Sequence, residues 1–214
     1  MNTWTCKRVL TGLALLALAG CSELPAGAGA GKTQSAGRQT SALLAGRVAL
    51  TAPAGFCIDP SSVTTSGRTG FAMLARCAQL SPQTALVALS GQSPAVMTVT
   101  TKPWTEGDTE ITDATIAAAY PDGAVIERRP GGPVPMVKAR GDRAFSALDD
   151  THWRGAFVVN DQLVVIGLFA PKDSRALGAS GANLVSALGR RTETASRQVT
   201  TGTAAPIAGG SSSD

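Results

Sequence analysis

Histidine is almost missing from this chain: His152 is the only one among 214 residues. The scarcity matters first for metals, because a zinc site draws three or four ligands from His, Cys and carboxylates. No CxxC pair and no DxDxDG string makes up for it, and Asp149-Asp150 with Asp142 are too loosely arranged to read as a calcium loop. Long basic runs are missing as well. No stretch of Lys and Arg exceeds two residues, the pairs Arg128-Arg129 and Arg190-Arg191 lie far apart, and the net charge is only +4. Nucleic-acid recognition needs a basic face that neutralises several phosphates, so no nucleic-acid partner is expected. Charged residues make up 16% against 43% apolar ones, which excludes a charged disordered chain and fits a globular one. No apolar run approaches the roughly 20 residues that span a hydrocarbon core.

The longest apolar run, Val9 to Ala17, stands near the start. Lys7-Arg8 precede it, and Leu18-Ala19-Gly20-Cys21 follow it. A cationic patch, a short apolar run and small residues before a cleavage point are the three parts of a secretory signal. With a Cys directly after Leu-Ala-Gly, the stretch resembles a bacterial lipoprotein signal. The resemblance implies that residues 1–20 are a removed leader, taking Cys6 with them, and that Cys21 becomes a lipidated N-terminus bearing palmitate-type chains. It also implies a bacterial cell-envelope location, with the membrane met through Cys21. Ser22 in place of Asp after that Cys implies the outer membrane, facing the periplasm. Several acyl chains hold where one is marginal, since each buried methylene adds about 0.8 kcal/mol.

Two cysteines then remain, Cys57 and Cys77. Thiols of an exported protein meet an oxidising compartment and pair there, so a stabilising Cys57–Cys77 disulfide is expected. Residues 21–45, rich in Gly, Ala and Ser, read as a flexible tether with an r.m.s. span of about 25 Å. Within them Gly29-Ala30-Gly31-Lys32-Thr33 looks like part of a phosphate loop, but Ala26 stands where the first Gly belongs and no strand precedes it. Residues 46–190 read as one folded domain, and 191–214 as a disordered polar tail.

Inside the domain, short strands are expected at Arg47–Leu50 and Phe56–Ile58, joined by Pro53-Ala54-Gly55, and at Gly70–Cys77, Leu86–Leu89 and Ala95–Thr101. Ser61–Gly67 reads as loop. Asp113 is the expected cap of a short helix over Ala114–Tyr120, stopped by Pro121-Asp122-Gly123. Val125–Glu127 and Val134–Ala139 read as strands. Trp153–Val159 and Gln162–Phe169 form the clearest hairpin, because Asn160-Asp161 between them tolerate the positive φ of a tight primed turn. Leu163–Phe169 is apolar without alternation, as suits a central strand covered on both faces. A second helix is expected over 174–190, with Leu177, Gly181, Leu184, Val185 and Leu188 on one stripe and Arg190-Arg191 at its end. The order predicts an α+β fold, a single antiparallel sheet with two packed helices.

Chemistry is harder to find. His152 beside Asp149 and Asp150 lacks a nucleophile, because Ser180 in Gly178-Ala179-Ser180-Gly181-Ala182 misses the elbow pattern and falls inside the expected helix. His152 therefore reads as a surface residue leading into the hairpin. Glu106, Asp108, Glu110 and Asp113 read as a solvated acidic cluster before the first helix. Arg140-Gly141-Asp142 spells an adhesion tripeptide that a turn after a strand explains equally well. Trp104, in a Pro/Gly-rich loop, reads as core packing or, if it lies exposed, as the candidate ligand or partner contact, since aromatics concentrate at binding hot spots; with the 129–133 loop it then makes the expected docking patch. Pro53-Ala54-Gly55-Phe56, the late hairpin 153–169 and the closing helix 174–190 together resemble the Mog1/PsbP-type domains of bacterial envelope lipoproteins. That resemblance implies a non-catalytic, lipid-anchored protein, without cofactor, that binds or helps assemble another envelope component. Small-molecule binding in a cavity between sheet and helices is the alternative, and no enzyme is expected.

Overall fold

The computed structural model describes residues 39–80, 94–105, 107–141 and 146–203. Its first strands are β1 (Ser41–Leu44), β2 (Val48–Thr51), β3 (Phe56–Ile58), β4 (Thr64–Ser66), β5 (Thr69–Arg76) and β6 (Val96–Pro103). A short helix, α1 (Asp113–Ala117), precedes β7 (Val125–Arg129), β8 (Met136–Arg140), β9 (Thr151–Val159) and β10 (Gln162–Phe169), and a long helix, α2 (Ala179–Thr203), follows them. Eight strands form one antiparallel sheet in the order β3-β5-β6-β10-β9-β8-β7, with β4 also paired to β5, while β1 and β2 form a separate two-stranded ribbon. The α+β architecture expected from sequence is the one observed. The Leu86–Leu89 strand, the leader, Cys21 and the end of the tail lie outside the described residues.

The β9–β10 hairpin is built as its turn residues dictate. Asn160 and Asp161 take φ of 50° and 56°, the left-handed values that a type I′ turn requires at both central positions. β10 is flanked by β6 and β9 and all but one of its residues are buried. Alternation divides them: Val164, Ile166 and Leu168 join the main core, whereas Leu163 and Val165 face a smaller cluster with Ile116 and Ala156. The main core is closed by α2 through Val185 and Leu188 and by the β1–β2 ribbon through Leu44, Val48 and Leu50.

Two boundaries differ from expectation. The folded unit reaches back to Gln39, whose carbonyl accepts from the Ile58 N–H at 2.7 Å, so the tether does not extend to residue 45. Leu44, fully buried, anchors that early strand to the core. At the other end, α2 does not stop at Arg190-Arg191 but runs to Thr203. The extension looks polar in sequence because its inward side chains are hydroxyls. Thr192 and Ser196, 1% and 0% exposed, sit one helical turn apart and accept hydrogen bonds from the outer edge of β2. The Ala49 N–H donates to Ser196 Oγ at 2.9 Å and the Thr51 N–H to Thr192 Oγ1 at 3.2 Å. A ribbon edge that would otherwise hold unpaired donors is thereby satisfied.

Two smaller differences are local. Thr64–Ser66, expected as loop, pairs with the start of β5. The cap of α1 is Thr112, not Asp113: the Thr112 hydroxyl accepts from the Thr115 N–H and the Thr115 hydroxyl from the Thr112 N–H, a reciprocal arrangement that satisfies two helix-end donors. Asp113 is instead buried in the first turn and paired to Arg128 at 2.7 Å.

Cys57 and Cys77 are joined, with Cα atoms 4.7 Å apart. The bridge staples β3 to the end of β5, where the Cys77 N–H also donates to the Gly55 carbonyl. Replacing both cysteines with Ser should lower the unfolding free energy by about 3 kcal/mol for their separation of 20 residues, read from the urea midpoint; an unchanged midpoint would mean the strand pairing holds without the bridge. Gly181 supplies a second test. A Cβ there would run into the Ala176 carbonyl and lie 3.1 Å from Trp153 Cδ1. Gly181→Ala should therefore destabilise by about 1–3 kcal/mol despite its better helix propensity, and a variant as stable as the parent would contradict this close packing of the start of α2 on the preceding turn and on Trp153.

Candidate functional site

Alternation along β9 sends Trp153, Phe157 and Val159 under α2 and turns Ala156 and Val158 to the opposite face. By the same period, His152 and Arg154 belong to that opposite face. There α1 rests on β7, β8 and β9, which leaves the region above β6, β9 and β10 less covered. The result is a recess of about 390 Å³. Ala156, Leu163 and Val165 form its floor, and Ile111, Ile116, Ala119 and Trp104 line it further. Lys102, Asp108, Thr109, Thr115 and Arg154 supply the polar groups.

Trp104 follows directly on β6. Its backbone N–H donates to the Asp161 carbonyl at 3.0 Å, tying it to the β9–β10 turn. The side chain is half-buried and packs on the smaller cluster, so the expected partner contact is a wall of the recess with one side open. The 129–133 loop does not join it. That loop leads into Val134, which packs into the main core on the other face of the sheet.

Arg154 went unnoticed in the sequence. It is half-buried, its Nε is wholly buried with no hydrogen-bond partner, and its guanidinium lies 6.0 Å from the Tyr120 ring centre. Among the described residues no carboxylate reaches it, whereas Arg128, Arg129 and Lys138 on the neighbouring strands each have one, Asp113 or Glu127. The available signal was an arginine two residues before Ala156, on the strand face it shares with His152, Ala156 and Val158.

Asp108 also lines the recess, from the loop before α1. Thr105 gives it two hydrogen bonds, from the backbone N–H at 2.9 Å and from the hydroxyl at 3.0 Å. These bonds, with Lys102 nearby, hold its carboxyl below the usual value of 3.8. Of the other acidic residues near it in sequence, Glu110 is exposed, Asp113 is paired, and Glu106 lies outside the described residues.

His152 is not on the surface. It is 2% exposed, stacked on Phe169 at 5.0 Å between ring centres, and its Nε2 is 2.8 Å from the Tyr120 hydroxyl. With Nδ1 facing the Asp150 carbonyl at 3.3 Å, the tautomer that donates there leaves Nε2 to accept from Tyr120. Burial pushes the Tyr120 phenol up, and Arg154 beside it pulls the other way. Ser180 is remote from this group: its hydroxyl donates to the Arg175 carbonyl at the start of α2, on the far face of the sheet. Asp149 accepts from the Thr151 N–H at 2.8 Å and serves the local turn. Among the described residues no three of His, Cys, Asp and Glu gather as a metal site would need; Asp142 lies outside them.

The hydrogen bonds at Asp108 have a titration consequence. Its carboxyl should titrate below 3.8 in an NMR pH series, and the ordering of the Thr105–Asp108 turn should be lost as pH falls through that midpoint. Thr105→Val removes the hydroxyl and leaves the backbone donor, so the midpoint should move only part of the way back; no movement would assign the depression to other groups. No protein-family model, curated protein or solved structure matches this chain.

Proposed function

We propose that this protein is a non-catalytic, lipid-anchored component of the bacterial cell envelope whose folded domain binds a small, largely apolar ligand in the recess beside Trp104. The recess itself carries the reading. Its volume of about 390 Å³ and its apolar floor with a few convergent polar groups are what small-molecule sites of roughly 300–1,000 Å³ have in common. A second hollow, of about 440 Å³ between β2 and α2, is lined by Thr51, Arg190, Arg191, Thr194, Ala195 and Gln198 and has no comparable apolar floor.

The anchor rests on Lys7-Arg8, the apolar run and Leu18-Ala19-Gly20-Cys21. The Cys57–Cys77 bridge is consistent with an oxidising compartment. The Pro53-Ala54-Gly55-Phe56 turn, the late hairpin and the closing helix support the likeness to Mog1/PsbP-type domains. Assembly of another envelope component is the second reading, favoured by the open side of Trp104; aromatics so placed serve as anchors for a partner.

Native mass spectrometry of the full lipidated chain isolated from its own membranes separates the two. A co-purifying small molecule that disappears in Ala119→Trp, a change at an exposed position lining the recess, is the expected result. Binding of an envelope protein that is lost in Trp104→Ala and persists in Ala119→Trp would favour assembly instead. A small molecule retained in Ala119→Trp would place binding elsewhere and defeat the reading.

A further inference from the structure

We infer that the recess selects an organic anion with a single carboxylate on an apolar body, and that Arg154 receives the carboxylate. The inference rests on the ligand-binding reading above and adds the chemical class of the ligand. Arg154 rises from β9, a strand paired on both sides, by β8 and β10, so the guanidinium has a rigid base at the edge of an apolar floor. The half-buried guanidinium lines the recess with no carboxylate against it among the described residues, and an anion seated there would give it the charged partner that the fold does not. A carboxylate does so best, because its two oxygens match two parallel N–H groups of the guanidinium.

The other lining residues narrow the class. Lys102 lies exposed on the lining and adds a second positive charge to the field that an approaching anion meets. Asp108 lines the same recess, and its hydrogen bonds to Thr105 keep it ionised at neutral pH. A second negative charge on the ligand would face that carboxylate, so a monoanion fits better than a dianion. Ala156, Leu163 and Val165 on the floor, with Ile111 and Ile116, offer nothing polar beyond the backbone and call for an apolar remainder. Tyr120 backs the guanidinium with its ring, which holds the cation without neutralising it.

Octanoate and 1-octanol test this directly, because they share an apolar chain of eight carbons and differ in the head group. The full lipidated chain in phospholipid nanodiscs is titrated with each at pH 7, with empty nanodiscs subtracted for partition into lipid. Binding is read from tryptophan fluorescence, and Trp104→Phe identifies the signal from the recess. Octanoate should bind at least about tenfold more tightly than octanol. Arg154→Gln should weaken octanoate about tenfold and leave octanol within about twofold, while Arg154→Lys, which keeps the charge and loses the fork, should fall between. Equal affinity for octanoate and octanol, or an octanoate affinity untouched by Arg154→Gln, would overturn the anion selection and leave the recess as a neutral apolar site. A recess signal from neither ligand would overturn the ligand-binding reading along with it. If Arg154→Gln fails to melt cooperatively, the comparison of octanoate, octanol and octylammonium on the unaltered chain decides: preference for octanoate supports the selection, and equal or tighter binding of either of the others defeats it.

Discussion

β10 lies between β6 and β9 and carries apolar side chains on both of its faces, so the sheet has to be covered twice at that position. Much of the architecture follows from this requirement. On one face Val164, Ile166 and Leu168 need a thick layer, which α2 and the β1–β2 ribbon provide together. On the other face Leu163 and Val165 need less, and a short helix with its preceding loop supplies it. Buried apolar area is the main favourable term in folding, and Leu163, Val164, Ile166, Leu168 and Phe169 of this strand all contribute to it.

The two covers differ in completeness for a physical reason. α2 is 25 residues long, and it comes close to the sheet because Gly181 and Gly189 present no Cβ to Trp153 and Val134. Its hydroxyls also finish the ribbon edge. α1 has only five residues and cannot span β6, β10, β9, β8 and β7 at once. It sits toward β7, β8 and β9, and the recess opens where it ends. Arg154 lines that gap, half-buried on the β9 strand.

His152 shows how burial can reverse the meaning of a residue. Read along the chain it sits among Asp149, Asp150, Thr151 and Arg154 and looks solvated. In the fold its ring is pressed on Phe169 and bonded to Tyr120. Polar neighbours in sequence say little about a strand residue, because successive side chains leave the sheet in opposite directions.

Local chemistry was enough for some of this. Asn160-Asp161 determine the tight turn through their tolerance of positive φ, the doubly apolar Leu163–Phe169 determines a central strand, and Cys57 and Cys77, the two cysteines within the expected domain, pair with each other. Those features depend on neighbours in sequence or on having no other partner. The fold alone decided the rest. Whether Thr192 and Ser196 belong to a polar tail or to a buried helix face depends on the β2 edge, some 140 residues earlier, that their hydroxyls satisfy. Whether Trp104 is core or surface depends on how short α1 is, and whether Arg154 has a counter-charge depends on which carboxylates the neighbouring strands bring up. Each is a contact between segments distant in the chain, and no periodicity within one segment encodes it.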